Sequence, residues 1–197
     1  MPHITLPDGV PGIRSLVLFR PDTGKPLYEL AQVLLRDTPP GGTLQPAERE
    51  LIAAYVSHEN ACEFCGSSHA AAARFLFGQD AALVNAVLTD YTTAPISDKL
   101  RALLPIADAT RANARTVTHD LVQTACAAGA TDADIHDTVL TAATFSMFNR
   151  YVDGLATIIP DDPTAYEAMG ERMGTLGYQL PKTPEASVLD GSDMVPS

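Results

Sequence analysis

The sequence predicts an all-α fold, and two features of the chain support that prediction. Apolar residues recur at helical spacing in segments that begin near Ser, Thr or Pro and end at Gly or Pro. Alternating or β-branched runs typical of strands are nearly absent. Alanine-rich helices with little charge on several faces also indicate buried helix–helix contacts between subunits, and therefore a homo-oligomer. We therefore expect a compact helical domain packed around the helix that carries a C-x-x-C motif.

The length of 197 residues suits one domain of ordinary size, which can bury a core without disulfide bonds. Residues 1–12 carry several Pro and Gly and are predicted to form an N-terminal arm. The core of the single domain would extend from about residue 16 to residue 176. Residues 178–197 are predicted to form a polar, Pro-containing tail that either covers a neighbouring subunit or stays mobile.

The predicted helices are separated by short connecting segments. The first has Pro26 in its opening turn and apolar residues at helical spacing up to residue 35. The second starts at Pro46 and runs towards residue 58 or 59, with Glu48 and Glu50 near its start, where the helix dipole favours negative charge. Further helices are predicted at 79–88, 97–114, 118–128, 131–157 and 163–174, and the N-caps of three of them would be Ser97, Thr118 and Thr131.

The candidate site is the stretch that holds two of the three cysteines and a histidine. In one helix Cys62, Cys65 and His69 would lie within roughly 60° of one another on a single face. Such a set can support thiol redox chemistry, bind a metal or form a structural disulfide. A structural zinc site needs a fourth donor, and the chain has no second C-x-x-C, H-x-x-H or C-x-x-H pair. In a reducing compartment a cycling disulfide is favoured over a permanent one.

The approach of an acidic residue to this site depends on a break between two helices. We expect the break at residues 59–61, with Asn60 as the N-cap of a new helix that runs from about 62 to 77 and stops at Gly78. Without a break Glu50 would sit ~18 Å from the first cysteine and about 120° off its face. With the break, Glu50 can fold back towards His69.

Other reactive or aromatic residues have more ordinary interpretations. Cys126 lies in an apolar, alanine-rich run and is interpreted as a buried small hydrophobic residue. Three histidines away from the motif are interpreted as incidental, namely His3, His119 and His136. Three aromatic residues of the long late helix are predicted to line the core or an apolar pocket over the cysteines, namely Phe145, Phe148 and Tyr151.

Charge and motif content exclude several function classes. The 24 acidic and 13 basic residues give a net charge of -11, which argues against a nucleic acid partner. No apolar run approaches the ~20 residues of a spanning helix and the start lacks signal-peptide features, so we expect no membrane contact and a cytoplasmic location. The chain has no G-x-G-x-x-G, no P-loop and no metal-ligand pair, and we therefore predict neither a metal nor another cofactor.

The run at residues 48–57, followed by Cys62-x-x-Cys65-x-x-x-His69, resembles the alkylhydroperoxidase AhpD-like group of the carboxymuconolactone decarboxylase superfamily. Residues 19–27 and 148–155 are similar to its peroxidase-related branch, and the resemblance covers about residues 16–157. It implies a peroxidase-type, antioxidant oxidoreductase that uses no metal or haem. Its substrate would be a hydroperoxide, its reductant a thioredoxin-like or lipoyl dithiol, and its assembly a homo-oligomer, trimeric or hexameric.

The resemblance also implies roles for four residues. Cys65 would attack the peroxide and Cys62 would resolve the product, while Glu50 and His69 would form a proton relay. The residues alone leave the order of the cysteines open, because the start of a helix lowers a thiol pKa at Cys62. Cys65, in contrast, has His69 one helical turn away.

The chain departs from well-studied AhpD proteins at one position of the motif. Phe64 stands where those proteins carry a second histidine between the two cysteines, and His58 is the candidate to replace that histidine in the relay. Two other functions stay open at this point. One is a carboxymuconolactone decarboxylase-like lyase, which needs a general base but no paired cysteines, and the other is a redox-sensing disulfide module without turnover.

Overall fold

The structure, a computed structural model, describes residues 1–37 and 39–179 of the chain. The described residues form α-helices joined by short loops, with one 3₁₀ turn at Ala114–Thr116 and no strand, which confirms the all-α prediction. Most of the predicted tail, residues 180–197, lies outside the described part. The helices are α1 (Gly12–Phe19), α2 (Pro21–Leu35), α3 (Pro46–Glu59), α4 (Glu63–Leu76), α5 (Ala81–Asp90), α6 (Asp98–Asn113), α7 (His119–Ala127), α8 (Asp132–Gly154) and α9 (Thr164–Leu176).

Helix α2 begins five residues earlier than predicted, so the placement of Pro26 in its first turn is wrong. Pro21 takes the first position instead, where a missing N–H costs nothing. Pro26 lies inside the helix and removes the hydrogen bond to the carbonyl of Asp22. Both residues are exposed, so water can bind that carbonyl and the helix continues.

The predicted break between α3 and α4 is confirmed. Helix α3 starts with a capping box between Gln45 and Glu48 and ends at Asn60, which is its C-cap and not the predicted N-cap of the next helix. Ala61 adopts a left-handed conformation, with a φ of 57°, and turns the chain. Cys62 then takes the N-cap of α4. The side chain of Asn60 is used elsewhere, because it donates a hydrogen bond to α8.

Helix α3 forms the centre of the core, and nearly every residue after its first turn is buried. Helix α4 packs on α3 and on α9, while α8 packs on α3 and on α6. Arg49 is 3% exposed, and its guanidinium donates hydrogen bonds to the backbone carbonyls of Leu44 and Asp37. These hydrogen bonds anchor the loop between α2 and α3 to Arg49. The core therefore holds α3 in a fixed place, with α4 against one side of it.

Asp134, at the start of α8, ties that helix to the loop before α3. Its carboxylate accepts hydrogen bonds from the backbone N–H of Thr43 at 2.6 Å, of Leu44 at 3.1 Å and of Thr131 at 3.0 Å. Burial raises the pKa of Asp134, but the hydrogen bonds from Thr131 and Thr43 outweigh it and lower the pKa to about 2. Helix α8 is thereby held in register with α3, and this register positions the residues of the site.

The other helices match the predictions at their starts. Ser97, Thr118 and Thr131 are confirmed as N-caps of α6, α7 and α8, since each side chain accepts a backbone N–H. The predicted burial of Cys126 is wrong: the residue is exposed, because α7 is short and buries only Ala125.

Among the described residues, no helix has the length and apolar character needed to span a membrane.

Candidate active site

Glu50 of α3 and His69 of α4 meet in the interior. Glu50 is fully buried, and its Oε2 atom lies 2.8 Å from Nδ1 of His69, which is 7% exposed. The break at Ala61 allows this contact, because it lets α4 return alongside α3. When Nδ1–H donates to the carboxylate, the Nε2 atom of the imidazole is left as a proton acceptor. The pair can therefore act as a general base.

Tyr178 completes this pair and was not identified from the sequence. Its hydroxyl donates to Oε1 of Glu50 at 2.7 Å and lies 3.3 Å from Nδ1 of His69. Its backbone N–H donates to the side chain of Gln32 at 2.9 Å. Burial and the charge of Glu50 raise the pKa of Tyr178 well above its usual value, so the hydroxyl stays protonated and donates. The available signal was a lone aromatic residue in a polar stretch, directly after Gly177.

The two cysteines occupy the first turn of α4. Cys62 is 1% exposed and Cys65 is 3% exposed, and both are free thiols. A hydrogen bond from the Cys62 thiol lowers the pKa of Cys65, with further contributions from His69 and Asn149 that together outweigh burial. The same hydrogen bond, with burial, raises the pKa of Cys62. The thiolate is therefore favoured at Cys65, although Cys62 lies at the start of the helix.

Asn149 of α8 is the second site residue that sequence reasoning missed. Its side-chain amide helps to lower the pKa of the Cys65 thiol. Its Nδ2 atom lies 3.0 Å from Oγ of Ser57, while its Oδ1 accepts from Asn60 at 2.9 Å. Asn149 was visible as a polar residue in the segment that carries the family resemblance, but no role could be assigned without its neighbours. The network fixes the amide beside the sulfur.

Cys65 opens towards a cavity of about 170 Å³. Phe145 and Phe148 line it, as predicted for an apolar pocket over the cysteines. Tyr151 does not line it and packs against the buried cluster that contains both cysteines. The ring of His69 meets the ring of Phe145 edge-on, with centroids 4.5 Å apart. The imidazole is thus held against an apolar wall, beside the space that Cys65 faces.

Cys62 borders a different space, a groove of about 600 Å³. His58 lies on this groove, is exposed, and its side chain forms no hydrogen bond with any residue that the structure describes. The structure therefore does not bring His58 to the Glu50–His69 pair. The two sulfurs meet different surroundings, one an enclosed apolar cavity and the other an open groove.

Phe64, which stands where a second histidine was expected, belongs to the apolar wall. Its ring packs against Gly12, where an added Cβ would lie 1.9 Å from the ring, and it lies 6.2 Å from the ring of Tyr166. In the described part of the chain no three side chains of His, Cys, Asp or Glu are grouped so that they could hold a metal ion.

Comparison with known proteins adds family likeness to this geometry. The sequence profile of the carboxymuconolactone decarboxylase family matches residues 21–109. None of the curated proteins compared with the chain matches it.

Solved structures resemble most of the chain. An alkylhydroperoxidase AhpD core, an uncharacterized peroxidase-related protein from Ralstonia eutropha, is 25% identical, with 82% of each chain covered and a TM-score of 0.71. An uncharacterized peroxidase-related protein from Silicibacter is also 25% identical, covers 82% of this chain and 81% of its own, and has a TM-score of 0.71. A protein of unknown function from Agrobacterium tumefaciens, 21% identical over 75% of this chain and 97% of its own, supports the fold alone, with a TM-score of 0.63.

Proposed function

Because the chain belongs to the carboxymuconolactone decarboxylase superfamily, in its AhpD-like, peroxidase-related branch, we propose that it is a thiol-dependent hydroperoxide reductase. The enzyme would cycle a disulfide between Cys62 and Cys65. The observation that carries the proposal is the setting of Cys65: its pKa is lowered, and it faces an apolar cavity that His69 also lines. A lyase would need a general base but not this paired thiol arrangement.

The proposed cycle balances in three steps. The Cys65 thiolate attacks the outer oxygen of the hydroperoxide, the O–O bond breaks, and the sulfur becomes a sulfenic acid while an alcohol leaves. The Cys62 sulfur then attacks the sulfenic acid, forms the disulfide and releases water. Finally a thioredoxin-like or lipoyl dithiol supplies two electrons and two protons, which restore both thiols.

His69 would transfer the proton in the first step, as general base and then as general acid. Its Nε2 atom accepts the Cys65 proton and returns it to the leaving alkoxide, while Glu50 stabilises the imidazolium from the Nδ1 side. We place His58 outside this relay, because it borders the groove beside Cys62. In that position it would meet the reducing partner, which must reach the Cys62 side of the disulfide.

One equivalent of hydroperoxide should consume two thiols per chain and leave Cys126 free. Mass mapping of the oxidised protein should find the disulfide between Cys62 and Cys65, and Cys126→Ser should behave like the wild type. A steady-state assay with hydrogen peroxide and organic hydroperoxides, coupled to thioredoxin or a lipoyl donor, then tests turnover. A disulfide through Cys126 would contradict the proposal, and oxidation without reduction by either donor would indicate a redox sensor.

Tyr178→Phe should slow the reaction of Cys65 with peroxide on the order of tenfold, since the variant loses a hydrogen bond to a charged group. Glu50 then holds the imidazole less firmly, so the apparent pKa of Cys65 should rise in a pH series of alkylation rates. Tyr55→Phe is the matched control, because Tyr55 is also a buried tyrosine but neither lines the Cys65 cavity nor makes a hydrogen bond to the pair. An unchanged pKa in Tyr178→Phe would show that the tyrosine only fills space.

The homo-oligomer, trimeric or hexameric, remains part of the proposal. Apolar side chains on α1, α2 and α8 are exposed in the isolated chain, and such surface is typical of contacts between subunits. They are Leu18, Phe19, Val33, Leu140 and Met147.

A further inference from the structure

The cavity beside Cys65 has the size of one small apolar group. Its volume of about 170 Å³ is close to the ~150 Å³ of an engineered protein cavity that holds benzene. Phe64, Phe148 and Met169 supply much of the wall, and none of the Asp or Glu residues that the structure describes lines it. The group that approaches the sulfur is therefore expected to be a single ring or a branched alkyl group.

Two arginines interrupt this apolar lining. Arg14 of α1 is exposed, and Arg172 of α9 is partly buried. Neither forms an ion pair with a residue in 1–37 or 39–179, and Arg172 donates only to the backbone carbonyl of Gln179, at 3.0 Å. The chain has 24 acidic residues against 13 basic ones. Among residues 1–37 and 39–179, two cations without an acidic partner at one cavity are therefore a specific feature of the charge distribution.

Both arginines line the same cavity as Tyr28. Burial raises the pKa of Tyr28, whereas the charges of Arg172 and Arg14 act on its phenol in the opposite direction. Tyr28 lines the cavity beside Tyr178, away from open solvent. The two guanidinium groups and this tyrosine therefore border the apolar cavity that Cys65 also lines.

We propose that this cavity binds a hydroperoxide whose ring-sized or branched apolar group carries a carboxylate, held by Arg14 and Arg172. A guanidinium matches a carboxylate with two parallel N–H donors, and an apolar rim strengthens the attraction because it lowers the local dielectric constant. With its carboxylate held at the arginines, the ligand would place its peroxide group at Cys65. The reaction part of this inference rests on the proposed function, whereas the binding part does not.

The binding test uses a pair of unreactive probes that differ only in charge. We expect 4-isopropylbenzoate to bind the reduced full-length protein about tenfold more tightly than 4-isopropylbenzamide, measured by isothermal titration calorimetry. Arg14→Gln and Arg172→Gln should each weaken benzoate binding several-fold, and the double variant should bind both probes equally. Arg74→Gln is the matched control, since Arg74 borders the groove of Cys62. Equal affinities in the wild type, or a preference that survives in the double variant, would overturn the inference.

A kinetic test separates this inference from the proposed function. The wild type should reduce 4-carboxycumyl hydroperoxide with a higher kcat/KM than cumyl hydroperoxide, and the double arginine variant should lose the difference. If both peroxides are reduced equally well, the carboxylate preference is wrong while the peroxidase proposal stands. If neither is reduced but the benzoate still binds, the peroxidase proposal is wrong while the anion site stands.

Discussion

Cys65→Ser should abolish the fast reaction with hydroperoxide, whereas Cys62→Ser should react and keep a sulfenic acid on Cys65. The reason is the unequal environment of the two thiols, which lowers the pKa of Cys65 and raises that of Cys62. At neutral pH the thiolate, which is the nucleophile, therefore forms at Cys65. Stopped-flow peroxide kinetics and trapping of the sulfenic acid with dimedone, followed by mass mapping, measure both outcomes.

The opposite pattern is the one that the helix start favours. If Cys65→Ser kept the fast reaction and formed a sulfenic acid on Cys62, the N-terminal dipole of α4 would outweigh the hydrogen bond between the thiols and the charge of His69. Cys126→Ser serves as the control for a cysteine outside the site, because Cys126 is exposed on α7. Its kinetics should equal those of the wild type.

Glu50→Gln and His69→Asn should each slow thiol oxidation by ~10²–10⁴, the usual cost of losing a general base. An amide has one acceptor oxygen where the carboxylate has two, so in Glu50→Gln either Tyr178 or His69 loses its acceptor. The double variant should lose far less than the product of the two single effects, because the residues act as one unit. Rates of peroxide reduction in the four proteins form the required double-mutant cycle.

The pH dependence of this unit has a defined sign. The charge of His69 helps to lower the pKa of Cys65, so without it the apparent pKa should rise and the thiolate fraction at neutral pH should fall. Alkylation of Cys65 across a pH series measures this shift, and circular dichroism checks that the helices remain. His58→Asn, exposed on the groove, should leave the pKa unchanged. If Glu50→Gln kept the wild-type oxidation rate and the wild-type pKa of Cys65, Glu50 would be only an acidic residue near the start of a helix. His58 would then be the next candidate for the proton relay.

Local features of the sequence were sufficient for the helices and for part of the site. Caps such as Ser97, Thr118 and Thr131 depend on residues three positions away, so they could be recognised from neighbouring letters. The spacing of Cys62, Cys65 and His69 placed them in one stretch of chain for the same reason, and the break before α4 was readable from its polar residues. Errors arose where a residue had two possible local roles, as for Asn60, which ends α3 and does not begin α4.

Only the tertiary structure decided how this stretch is supported and which thiol is favoured as the thiolate. Tyr178 is 128 positions from Glu50 and Asn149 is 92 positions from Ser57, so no periodicity or spacing connects them. The helix start acts to lower the pKa of Cys62 and the nearby histidine acts to lower the pKa of Cys65. Which of the two thiols has the lower pKa also depends on hydrogen bonds and burial to which α8 and α9 contribute. A short motif therefore identified the candidate reactive atoms and the thiol pair, whereas the contribution of Asn149 to the pKa of Cys65 comes from a distant helix, because a pKa depends on every group around the sulfur.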